Sequence, residues 1–283
     1  MSRTIDAHQH YWELERGDYG WLTPEAGPIL YRDYVPADLE PELARAGIRQ
    51  SIVVQAAQTH AETAYMLELA ERSDSVAGVV GWLNFQDPNW RDVLKIFRAH
   101  PKFLGVRVML QEMRDAAEVL EPNSLEALRH LAEIGLPVDL LMKSSQLPET
   151  IALLKQVPNL HAVIDHIGKP RIGEGRFEPW ASQMQEIAAN YSGVYCKLSG
   201  MLTEADHDAW QPEQFTAYVR HVVACFGVGR VMFGSDWPVC LLAGSYADVR
   251  DVLRAALPEG LDSAQLAAVY GDNAAAFYKL PAE

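Results

Sequence analysis

Eight short apolar runs, five to eight residues long and rich in Val, Ile and Leu, recur along the chain with amphipathic segments between them. Runs of this length, apolar on both faces, mark strands buried from two sides, as in a parallel sheet covered by helices. They lie at Thr4–His8, Ser51–Ala56, Val76–Leu83, Phe103–Leu110, Leu136–Met142, His161–Ile167, Val194–Gly200 and Arg230–Asp236. His60–Ser73, Asn89–His100, Asn123–Gly135 and Glu213–Gly227 carry helical spacing instead, and the last two end on the glycine expected at a helix terminus. Eight such alternations in 283 residues predict an α/β fold, a single-domain (β/α)8 TIM barrel spanning residues 1–283. No G-x-G-x-x-G follows the first strand, so an open dinucleotide-binding sheet has no support. Neither Pro/Gly-dense stretch, Thr23–Pro28 or Gly168–Pro179, is long enough for a flexible tether.

Composition narrows the partners. A net charge of −14 speaks against nucleic acid, because neutralising phosphates requires a basic surface. Cys196, Cys225 and Cys240 are odd in number and lack metal-ligand spacing, so they read as reduced thiols. With no signal-peptide core in "MSRTIDAH" and no long apolar span, the expectation is a cytoplasmic protein with no membrane partner.

Barrel enzymes build their sites at the carboxyl ends of the strands. The polar residues there are His8 and His10 (strand one), Gln55 (two), Trp82 and Asn84 (three), Arg107 (four), Asp139 and Lys143 (five), Asp165, His166 and Lys169 (six), Lys197 and Ser199 (seven), and Ser235, Asp236 and Trp237 (eight). An unpartnered buried polar group costs about 1–3 kcal/mol, so this many at one end argues for a retained site. Taken singly, several have plainer readings: His166 as a satisfied structural group, Asp139 and Asp165 as supporting or capping groups, Cys196 and Cys240 as small fillers. His60, His100, His130, His161, His207 and His221 fall on helices, loops or strand starts and are not expected in the site.

In "DAHQH", His8 and His10 share a strand face. In a closed barrel strands one and eight are neighbours, about 4.8 Å apart, so Asp236 of "GSDWP" should approach both imidazoles. Two histidines and a carboxylate converging in this way would bind one divalent metal, zinc first, with positions open to water or substrate. The same three residues would also bind a carbonyl and activate water without metal, and the sequence leaves that open.

The H-x-H of strand one, the histidine of "VIDHIGKP", the aspartate of "FGSDWPV" and the terminal "GDNAAAFYKL" together resemble the amidohydrolase superfamily. Within it they resemble the sugar-lactonase branch of L-fuconolactonase and L-rhamnonolactonase type, which also holds the pyrone dicarboxylate lactonases. The resemblance runs from Thr4 to Leu280. It implies hydrolysis at a carbonyl, with Asp236 as general base and His8, His10 and His166 organising metal, substrate or both. Binuclear members carry a carboxylated lysine on strand four, where this chain has Arg107, so a two-metal site is not expected.

From these readings follow an expected reaction and site. The reaction is hydrolysis of an aldonolactone, of L-fucono, L-galactono or L-rhamnono type, to the aldonic acid. Asp236, His166 and His10 are the expected catalytic residues, and His8, His10 and Asp236 the expected metal ligands. Gln55, Trp82, Arg107, Lys169, Lys197 and Trp237 are the expected substrate contacts. A single strand-end arginine suits a neutral polyhydroxylated lactone better than a dicarboxylate, which calls for several guanidinium contacts. The alternatives are a pyrone or muconolactone-type lactonase and a metal-dependent decarboxylase of the same superfamily. Which sugar is bound, and whether copies associate as a homo-oligomer, are not fixed by the sequence.

Overall fold

A computed structural model describes residues 3–281. Strands β1 (Ile5–Gln9), β2 (Gln50–Val54), β3 (Val76–Gly81), β4 (Phe103–Met109), β5 (Val138–Leu141), β6 (Ala162–Ile164), β7 (Val194–Leu198) and β8 (Val231–Phe233) pair in parallel in sequence order. Helices α1 (Pro36–Ala46), α2 (His60–Arg72), α3 (Trp90–Arg98), α4 (Pro122–Glu133), α5 (Leu147–Gln156), α6 (Trp180–Asn190), α7 (Glu213–Phe226) and α8 (Tyr246–Ala256) follow them one by one. The sheet closes where the residues beyond β8 meet β1. Asp236 N donates to His8 O at 2.8 Å, and His10 N donates to Trp237 O at 2.7 Å. The fold is the expected (β/α)8 barrel.

Six of the eight apolar runs contain their strand, those at β1 and β2 miss it by one residue, and those at β6 and β8 overshoot its end by three. Strand β6 stops at Ile164 and β8 at Phe233, because the backbone turns left-handed at His166 (φ 54), Ile167 (φ 48), Lys169 (φ 47) and Asp236 (φ 58). Non-glycine residues adopt this region at a cost of roughly 1–3 kcal/mol each, and such strain gathers where function fixes geometry. Here it re-aims His166 and Asp236 at the strand ends, which a continuing strand would not do.

The main apolar core lies between sheet and helices. A smaller cluster is built by the carboxyl-terminal segment: Ala274, Phe277 and Tyr278 pack against Ile5, Leu104, Val163 and Met232. Asn273 Nδ2 donates to Val228 O and Val231 O, each at 2.7 Å, which ties this segment to the start of β8. The "GDNAAAFYKL" signature is thus the plug of the barrel floor. No described helix is long and apolar enough to cross a membrane.

Candidate active site

The alternation of strand side chains carries His8 and His10 from β1 into the carboxyl-terminal mouth. Asp6, one step behind, is fully buried and stitches β1 to the chain beyond β8: its Oδ1 accepts from Ser235 N (2.9 Å) and His8 N (3.1 Å), its Oδ2 from Tyr246 OH (3.1 Å). Burial pushes its pKa up to about 6 against these hydrogen bonds. Asp6 therefore fixes the backbone on which two site residues stand.

At the centre is Asp236 Oδ1. It lies 3.3 Å from His10 Nε2, 3.8 Å from His8 Nε2 and 3.8 Å from His166 Nε2, and all four residues are buried. His10 Nδ1 can only donate to its partner Val54 O (2.7 Å), so in the neutral ring the Nε2 lone pair faces the carboxylate. His166 Nδ1 is 2.9 Å from Ser199 Oγ. Burial lowers the His166 pKa to about 4, against the pull of Asp236 and Asp165. Burial first, then the charge of Lys197, pushes His8 well below the usual imidazole range, with Asp165 opposing. For Asp236 burial acts upward, but the surrounding rings of His166, His10 and His8 outweigh it and hold the carboxyl well below the usual carboxylate range. The Asp236 carboxyl is thus biased to its ionised form, beside His8 and His166 rings that burial biases against protonation.

This donor set fits a divalent cation. Ligand atoms of His8, His166 and Asp236 lie within 4.8 Å of one another, and His10 Nε2 is closer still to the same oxygen. The charges agree: Lys197 and Arg107 pair with Asp139 and Asp165, while the buried Asp236 carboxylate has only imidazoles within 4 Å among the described residues and no lysine or arginine beside it. Such an imbalance in a low-dielectric interior favours a held cation or proton. The expected ligands His8, His10 and Asp236 are brought together, and His166 joins them.

Above the cluster opens a cavity of about 460 Å³ lined by His10, Arg107, His166, Lys169 and Asp236. Arg107 Nη2 donates to Gln55 O and to Gln55 Oε1 (3.0 Å), while its Nε has no protein partner. Lys169 Nζ donates to Gln111 Oε1 (2.8 Å) and pairs with Glu204 Oε1 at 3.4 Å. The other expected contacts sit elsewhere. Gln55 is fully buried and holds Arg107 rather than facing the cavity. Lys197 lies beneath His8, wholly buried against Asp139 and Asp165. Trp237 packs against Tyr34 and Tyr11, with ring centroids 4.9 and 6.1 Å apart. Trp82 lies against His60 and lines a neighbouring depression together with Asn84.

What the sequence reading missed is the aromatic wall. Trp21, from the loop after β1, lines the cavity and is 43% exposed. Its indole N–H donates to Ala56 O at 2.8 Å, and Trp12 meets it edge-on at 5.4 Å. The loop after β2 that receives it is pinned from below by Glu62, whose carboxyl oxygens accept from Ala56 N and Ala57 N at 2.8 Å each. A tryptophan in "GDYGWL", outside any strand or helix period, was the available signal. Nothing local says where that loop folds back.

Comparisons with known proteins agree with this geometry. The Amidohydrolase family profile matches residues 5–280. An L-fucono-1,5-lactonase of Burkholderia ambifaria is 38% identical over 99% of this chain and 97% of its own length. A crystal structure of an amidohydrolase from Burkholderia multivorans with bound zinc superposes with a TM-score of 0.92 at 34% identity, over 99% of this chain and 100% of that one. A putative 2-pyrone-4,6-dicarboxylic acid hydrolase from Pseudomonas putida shares the fold, with a TM-score of 0.78 at 21% identity and full coverage of both chains. With the barrel, the H-x-H strand and the strand-eight aspartate in place, the chain belongs to the amidohydrolase family.

Proposed function

We propose that this protein is a lactonase that opens a sugar lactone of the L-fuconolactone class to its aldonic acid. The observation that carries the chemistry is the ionised Asp236 at the cavity floor, ringed by three imidazole Nε2 atoms. The substrate class rests on the near-full-length similarity to an L-fucono-1,5-lactonase.

His8, His166 and Asp236, with His10 beside them, would hold zinc, and a similar amidohydrolase was crystallised with zinc bound. A bound zinc ion polarises an ester carbonyl and lowers the pKa of water. Asp236 accepts the proton of the attacking water, and its position among the imidazoles fixes the line of attack. His10 is oriented by Val54 O and His166 by Ser199, so neither ring has to reorganise as charge develops. Arg107 and Lys169 are the two cations on the cavity wall. Arg107 faces oxygens of the substrate and of the product carboxylate. Lys169, held by Gln111 and Glu204, supplies a proton to the departing ring oxygen. Trp21 offers a flat apolar face to the C–H side of the sugar. A single cavity arginine supports a neutral lactone over a dicarboxylate. Three free cysteines, two of them buried, suit a reducing, cytoplasmic setting.

The test is acid release from a panel of aldonolactones, read with a pH indicator on protein as purified, after chelation and after zinc is restored. Activity on fucono-type lactones that falls with chelation and returns with zinc is expected. Asp236→Asn should lower kcat roughly 10²–10⁴-fold while the chain stays folded. Silence across the panel would reject the lactonase reading.

A further inference from the structure

A second convergence of ligand atoms lies directly beneath the first. His8, Asp139 and Asp165 each bring one to within 4.8 Å of the others, and all three residues are fully buried. One imidazole and two carboxylates make a divalent-cation ligand set. In this chain the Lys197 ammonium stands inside it. Its Nζ is 2.5 Å from Asp139 Oδ2, 3.1 Å from Asp165 Oδ1 and 3.1 Å from His8 Nδ1. The ammonium donates to Asp139 Oδ2 and forms an ion pair with Asp165 Oδ1, which also faces His8 Nδ1 at 3.3 Å. The outer atoms of the set are engaged as well: Tyr278 OH donates to Asp139 Oδ1 at 2.7 Å, and Arg107 Nη1 is 3.7 Å from Asp165 Oδ2.

We propose that the Lys197 ammonium is a built-in cation standing in for a second metal ion, which limits the barrel to one exchangeable divalent ion and braces His8 from below. A metal entering the lower set would have to displace a tethered charge held between two carboxylates. A metal entering the upper set takes the His8 Nε2 lone pair, which needs the ring proton on Nδ1, and Asp165 Oδ1, 3.3 Å away and itself held beside Lys197, accepts from it. Lys197 is therefore a positioning residue, not a substrate contact.

The inference rests on the one-metal reading above but not on the identity of the lactone, and its test reads metal content and stability rather than activity. Wild-type protein, stripped and dialysed against zinc, should retain one tight ion per chain by elemental analysis. Loaded with manganese, it should give the paramagnetic resonance spectrum of isolated ions. Lys197→Ala should retain two zinc ions and show an exchange-coupled manganese pair. Its thermal midpoint should rise with added n-propylammonium, which restores the atoms the substitution deletes. Lys197→Met, filling the space without charge, should stay at one ion and ignore the amine. Two tight ions in the wild type would overturn the proposal. So would a Lys197→Ala chain that holds one ion and does not respond to n-propylammonium, or one that folds with neither zinc nor amine. A wild type with no tight ion would reject the metal reading itself, and the amine response would then decide the role of Lys197.

Discussion

Replacing Gly200 by alanine should damage both stability and turnover, and the structure gives the size of each effect. Gly200 follows β7 with φ +61, and a Cβ placed on it would sit 2.5 Å from His166 Nδ1 and 2.8 Å from His166 Cβ. The left-handed conformation costs a non-glycine residue about 1–2 kcal/mol. The contact falls about 0.9 Å short of the 3.4 Å where ordinary packing begins, and overpacking of this kind costs a further 1–3 kcal/mol or so. Together they predict a loss of about 2–5 kcal/mol in urea unfolding. The overlap is relieved most directly by moving His166, whose Nδ1 is held by Ser199 and whose Nε2 faces Asp236. A displacement near 1 Å of a group that positions the reaction can cost about 100-fold in rate. Gly200→Ala should therefore lower kcat on the best lactone by about two orders of magnitude with a smaller change in KM. Turnover within a few-fold of wild type, with stability unchanged, would refute both the strain argument and the placement of His166 in the reaction.

Three further outcomes follow from other parts of the cavity. Burial raises the Glu62 pKa from 4.5 to about 8, against the hydrogen bonds from Ala57 and Ala56. The folded state thus holds this proton while the unfolded chain releases it, and the group's contribution makes stability fall as pH rises from about 4.5 to 8. Urea unfolding of Glu62→Gln across that window should show a flatter dependence than wild type, and an unchanged slope would contradict it. Trp21→Ala should raise KM about tenfold with kcat nearly preserved, and Trp21→Phe should fall between; a kcat effect without a KM effect would remove Trp21 from the binding wall. Tyr278→Phe deletes the donor to Asp139 Oδ1, so it should cost about 1–3 kcal/mol in chemical unfolding although it lies far from the cavity mouth.

Part of this protein is written in local pattern. Strand alternation alone puts His8 and His10 on one face, and the run of apolar segments implies a closed parallel barrel in which the last strand returns to the first. That return brings Asp236 to His10, 226 residues away. Hydrophobic periodicity reports which face a side chain takes, and barrel topology reports which strands adjoin. Neither reports depth along the barrel axis, nor which loop folds back over the mouth. Lys197 and Lys169 look alike as strand-end lysines, yet one is sunk among Asp139, Asp165 and His8 while the other reaches the cavity past a left-handed turn. Trp237, expected as a substrate contact, and Trp21, for which no role was expected, depart from the sequence reading for the same reason: the first packs into the tyrosines behind the site, and the second is drawn over the cavity by a hydrogen bond to a loop 35 residues away. The sequence by itself determined the barrel and the histidine–aspartate convergence, because both follow from short-range periodicity and strand order. Tertiary structure alone decided which cations face the substrate and which brace the site from below, because burial depth is set by contacts between distant segments.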